Sequence, residues 1–191
     1  MIYDYFSQLK QYVDENYIVT ESSQKLTDIA VSNVLGFPIN SSVKTLYERY
    51  ESFSLIWLNM ERRYLGSIYF VGYNRLDEEH ENLIEIMSES YDVNEDELNI
   101  AEDILNWYPL IKFLNGDAFC LDFRNGNIVF YEHEVFDGEK NLHGLIIATS
   151  LNDLFEKWSK IHFLDYYYWD EVVNSEGIDL TSNALKELMN L

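Results

Sequence analysis

The sequence predicts an α+β fold: a single domain spanning residues 1–191, with an antiparallel-rich twisted sheet and helices grouped at the N-terminus, in an acidic insert and after the sheet. Three observations carry that expectation. Apolar residues recur at helical spacing through the first fifty positions. A central block of short aromatic and β-branched runs is punctuated by Asn115-Gly116 and Asn125-Gly126. After Ser150 the helical period returns. Helices that precede and follow an antiparallel sheet make this class rather than an alternating βα one.

In chain order, Ile2, Tyr5, Phe6, Leu9, Tyr12 and Val13 form a first helical stripe. Leu26, Ile29, Ala30, Asn33 and Val34 form a second, ending at Gly36, a residue suited to a left-handed C-cap. Ser41 is placed to cap a third helix, with Val43, Leu46, Tyr47 and Tyr50 on its buried side up to about Phe53. The period then shortens, and Ser54–Leu58 and Gly66–Tyr73 read as strands. Four further strands follow at Trp107–Phe113, Ala118–Phe123, Ile128–His133 and Leu145–Thr149. Asn125-Gly126 matches the twist of a two-residue antiparallel hairpin. Ser150 with Asp153 three residues on is an N-terminal helix signature, followed by Leu151, Leu154, Phe155, Trp158 and Ile161. A last short helix carries Leu185 and Leu188 behind Thr181 or Ser182.

The charge is the unusual quantity. The 191 residues hold 34 acids against 13 lysines and arginines, a formal charge of −21. A field of that sign opposes DNA, RNA and anionic lipid, and its natural complement is a basic protein. The acids concentrate where lysine and arginine are absent, between Leu76 and Ile111. Within that insert Leu76, Leu83, Ile86 and Met87 fall on one side of a helical wheel and Glu78, Glu81, Glu85 and Glu89 on the other. These four glutamates are the candidate partner-binding residues, read as an unpaired negative stripe; a solvated helix face is the plainer alternative. Glu95, Asp96 and Glu97 have an ordinary explanation as the first turn of a helix capped by Asn94.

Chemistry is hard to find. His80, His133, His143 and His162 are too far apart for a local metal motif, and one cysteine, Cys120, excludes a zinc knuckle or an internal disulfide. Asp117, Asp122, Glu132, His133 and Glu134 lie close in sequence, but strand alternation puts His133 opposite Glu132 and Glu134. No nucleophile elbow or phosphate loop is present, so neither catalysis, a metal nor a cofactor is expected. Acids flank the aromatic run Tyr166–Trp169, which favours packing over base stacking. The opening residues carry aromatics and Asp4 in place of a signal peptide, and no apolar run is long enough to span a bilayer, so a cytoplasmic location is expected.

Two stretches carry a family resemblance. The first is Leu35-Gly36-Phe37-Pro38, then a helix, then Phe53–Trp57 and a Gly66-Ser67-Ile68 strand. The second runs from Tyr108-Pro109 through Asn115–Asp122, Asn125-Gly126 and Ile128–Tyr131 to the Ser150–Trp158 helix. Together they resemble the Smi/Knr family of the SUKH superfamily over Val34–Asp170, although Glu51-Ser52 stands where many members carry an Asn-Gly turn. The resemblance implies an α+β binding protein without catalytic residues. Bacterial members are mostly immunity proteins against toxins, often nucleases, and fungal members regulate the cell wall. Trp57, Gly116 and Asp122 match family-type positions, with expected roles as core anchor, turn former and hairpin support. The leading expectation is therefore an immunity protein occluding the cleft of a basic toxin. The alternative is a regulatory or scaffold protein that recognises its partner through an apolar patch.

Overall fold

A computed structural model of the chain describes residues 2–26, 41–58, 60, 64–90, 103–133, 141–161, 163 and 169–189. Seven strands form one antiparallel sheet in sequence order. They are β1 (Ile18–Leu26), β2 (Tyr50–Leu58), β3 (Tyr64–Phe70), β4 (Trp107–Lys112), β5 (Ala118–Asp122), β6 (Ile128–Tyr131) and β7 (Ile146–Ala148). The helices are α1 (Ile2–Asn16), α2 (Ser41–Tyr47), α3 (Leu76–Ser90), α4 (Leu151–Lys160), α5 (Trp169–Val172) and α6 (Asn183–Met189). A two-stranded ribbon, β8 (Val173–Asn174) with β9 (Gly177–Ile178), lies between α5 and α6. The chain is thus α+β, and among the described residues no helix is long and apolar enough to cross a membrane.

Alternation along the strands divides the sheet into two faces. On one face Phe53, Leu55, Trp57, Ile68, Phe70, Phe119, Leu121 and Phe130 join Leu9 and Val13 of α1, Leu46 and Tyr47 of α2 and the buried side of α4 in the main core. Phe119 is its centre, with ring centroids 5.1 Å from Trp158 and 4.9 Å from Trp169 in edge-to-face geometry, an arrangement aromatic pairs favour. On the other face Leu83 and Met87 of α3 pack with Ile104 over Trp107, Ala118, Cys120, Val129 and Tyr131. Burial pushes the Cys120 thiol up, so it behaves as a small apolar residue.

Capping sets the start of α4: Asp153 N–H donates to Ser150 Oγ at 3.1 Å and Thr149 N–H to Asp153 Oδ2 at 2.9 Å. The two turns use left-handed glycines, Gly116 at φ 99° and Gly126 at φ 81°. Pro109, which has no N–H to give a ladder, sits at the β4 irregularity between Pro109 and Ile111.

Several boundaries differ from the sequence reading. Ile18–Leu26 is a strand paired with β2, although the N-terminal third reads as helical and Leu26 as the start of a helix. The rest of that expected helix lies outside the described residues, as do Asn94–Glu97, Tyr166–Tyr168 and Glu134. The third helix stops at Tyr47; Tyr50 and Phe53 belong to β2, because apolar residues three apart fit either period over so short a span. Glu51 and Ser52 are also in β2, with Glu51 2.5 Å from Lys25 Nζ. The β5–β6 connection is longer than a two-residue hairpin: Asp122 N–H bonds to Asn127 O at 2.9 Å and Gly126 N–H to Asp122 O at 2.7 Å, enclosing a four-residue loop.

Candidate functional site

The acidic helix α3 is anchored by one side and exposed on the other. Leu76, Leu83 and Met87 are buried, while Asp77, Glu78, Glu81 and Glu85 are exposed. Glu89 is in the last turn, with its side chain outside the described residues. Two expectations are corrected here. Ile86 is 37% exposed and stands among the acids, because a wheel of 100° per residue places it at the margin of the apolar side. Glu78 is not unpaired, since Arg75 Nε lies 3.5 Å from its Oε2.

His80 fixes the helix to the sheet. Its ring stacks on Tyr108 with centroids 4.0 Å apart and planes at 14°. Its Nδ1 is 2.8 Å from Trp107 O, which requires Nδ1 to carry the proton.

Glu79 is a functional candidate the sequence reading passes over. It is only 4% exposed and receives Arg75 Nη2 on Oε1 at 2.5 Å and Lys112 Nζ on Oε2 at 2.6 Å. Arg75 and Lys112 are the residues that bracket the cation-free segment on either side. The fold folds these brackets back onto one buried carboxylate. A buried acid is tolerated only when so paired. Glu79 beside it raises the Arg75 guanidinium above its ordinary value, against a smaller opposing effect of burial. The signals available in the sequence were the i,i+4 spacing of Arg75 to Glu79 and a lone lysine ending an apolar strand.

Arg75, Glu79 and Lys112 line a cleft of about 410 Å³ together with Ser54, Ile56, Ser67, Tyr69 and Leu114. The strand register assembles it: Ser54 pairs with Tyr69, Ile56 with Ser67, and Tyr69 with Lys112. These residues share the sheet face that α3 covers farther along. Ser67 is 3% exposed, and its Oγ has no hydrogen-bond partner.

The carboxylates around the hairpins are committed to backbone and turn contacts. Asp117 Oδ1 accepts His133 N–H at 2.7 Å and its Oδ2 accepts Asn115 Nδ2–H at 2.5 Å. Asp122 is buried, and Arg124 donates to it from the backbone at 2.9 Å and from Nη2 at 2.6 Å. Burial favours its protonated form, but the Arg124 hydrogen bonds together outweigh burial and hold the carboxyl below the usual range. Arg124 also reaches Asp103, tying the end of the acidic insert to the hairpin. Among the described residues, no group of three or more His, Cys, Asp or Glu side chains is placed to hold a metal ion. Trp57 is buried with its ring against Gly66, where a β-carbon would lie 2.3 Å from Cζ2, and a β-carbon at Gly116 would lie 2.9 Å from the His133 ring.

Comparison of the chain with family models, with curated proteins and with solved structures gives no match.

Proposed function

We propose that this chain is a non-catalytic protein-binding module that presents the acidic face of α3 to a basic partner, in the manner of an immunity protein that occludes a nuclease toxin's active cleft. The observation that carries the reading is the exposure of Asp77, Glu78, Glu81 and Glu85 on a helix whose opposite side is locked into the sheet. A rigid element holding carboxylates at helical spacing can stand where nucleic-acid phosphates would lie in a basic cleft. The −21 charge supports the same reading, because such a field accelerates encounter with a positive partner by about 10 to 1,000-fold at low salt. The resemblance to Smi/Knr proteins supports it independently of charge.

The test compares the wild type with a variant carrying Glu78→Gln, Glu81→Gln, Glu85→Gln and Glu89→Gln against a nuclease toxin encoded beside its gene. Thermal melting should change little, since exposed substitutions usually alter stability by about 0.5 kcal/mol or less. Affinity should fall by about 2 to 4 kcal/mol, taking each rim pair at roughly 0.5 to 1 kcal/mol. The association rate should also become less dependent on salt, in proportion to the four charges removed from a net −21. Equal affinity and equal salt dependence in the two proteins would refute the assignment and leave α3 as a solvated face.

A further inference from the structure

The cleft at the foot of α3 gathers two cations, Arg75 and Lys112, within a strongly acidic chain. Both meet one buried carboxylate, Glu79, and Arg75 is offset further by Glu78 at 3.5 Å, so Lys112 is the cation of the cleft with charge left to offer a ligand. Lys112, which lines the cleft, spends one N–H on Glu79 and is 35% exposed, so two of its three donors remain. Beside it, Ser67 presents a second unfulfilled group. Its neighbour Ile68 points into the main core, so alternation turns Ser67 toward the cleft face it shares with Ile56 and Tyr69. A buried hydroxyl without a partner is uncommon and costly, and a serine paired in register with an isoleucine has no structural need of it. Ile56 and the exposed Leu114 supply an apolar margin.

We propose that this cleft binds a small organic monocarboxylate. The carboxylate meets Lys112 and accepts the Ser67 hydroxyl, and a short apolar body lies against Ile56 and Leu114. One negative charge matches the single cation with donors to spare, Lys112, whereas a dianion such as phosphate meets an excess of charge beside Glu78 and Glu79. The cleft volume of about 410 Å³ falls within the range of small-molecule sites. This inference is independent of any toxin-binding role for α3.

The experiment titrates isotopically labelled protein, in separate series, with hexanoate, hexylammonium and inorganic phosphate. Hexanoate should give saturable amide shifts centred on Ser67, Tyr69 and Lys112, and the other two should give none. Ser67→Ala should melt at the same temperature or higher, since it removes an unsatisfied group. It should nevertheless weaken hexanoate roughly tenfold, the factor expected for one hydrogen bond to a charged group. Lys112→Gln, checked first for cooperative melting, should weaken it at least as much. Absence of saturation with hexanoate, an equal response to phosphate or hexylammonium, or unchanged hexanoate affinity in Ser67→Ala would each overturn the proposal.

Discussion

A β-carbon placed at residue 66 would stand 2.3 Å from the Trp57 ring, so the pairing of these two positions in the β2–β3 ladder depends on glycine. Trp57 is in the core and cannot swing away freely. Gly66→Ala should therefore destabilise by about 1 to 3 kcal/mol, the usual cost of overpacking. Trp57→Phe should relieve part of that cost, so the double variant should be more stable than the two losses added together, as measured by denaturant unfolding. The sequence displays Trp57 and Gly66 but not their contact, because register across a hairpin cannot be read from spacing once a turn has unknown length. Among the described residues, His143 sets a pH dependence near neutrality. Burial holds its imidazole below the ordinary value of 6.5, against a smaller opposing contribution from the Glu132 backbone. The unfolded chain thus takes up a proton before the folded one does. Stability supplied by the neutral ring is present above about pH 6.5 and lost as pH falls through the lowered value. Unfolding midpoints should drop between about pH 7.5 and pH 5.5 in the wild type and much less in His143→Asn. The depressed carboxyls of Asp122 and Asp153 act only at lower pH, below about 3.8, and leave this window clear.

Among the elements, α4 was the most legible, and physics explains why. Its start depends on side chains within four residues of one another: Ser150 caps, Asp153 returns the bond to Thr149, and Leu151, Leu154, Phe155 and Trp158 follow on one side. Ser150→Ala should cost about 1 kcal/mol of stability, with a spread of about 0.5 to 2. Circular dichroism melting will register it as a cooperative loss if α4 is integral to the main core. The strand β1 was illegible for the opposite reason. Its residues Thr20, Glu21, Ser22, Ser23, Gln24 and Lys25 carry no apolar alternation, and it is a strand because β2 supplies a partner ladder from 58 to 50. Glu79 lies between these cases. Its helix was evident, yet its burial arises from Lys112, 33 residues away, so only the folded chain distinguishes it from the exposed acids at 78 and 81.

For the whole molecule, the α+β class was legible because turns and hydrophobic period agree locally, while the seven-strand meander was not, since strand order depends on pairings that span the acidic insert. The seam of that meander is uneven. Among the described residues β3 meets β4 through only two paired positions, Tyr69 with Lys112 and Phe70 with Ile111, whereas β2 and β3 pair through six. Apart from the short edge strand β7, also paired at two positions, the sheet is therefore two panels, β1–β3 and β4–β6, joined by a short overlap that Glu79 bolts by gripping Arg75 on one side and Lys112 on the other. Such a joint should yield before either panel does. In native-state amide exchange, the N–H of Val71, bonded to Leu110 O at 2.9 Å across the seam, should exchange by a smaller opening than the amides within β5 and β6. Glu79→Gln should quicken that exchange at Val71 while leaving Phe119 and Phe130 slow. A single uniform protection factor across both panels would mean that the molecule opens only as one piece.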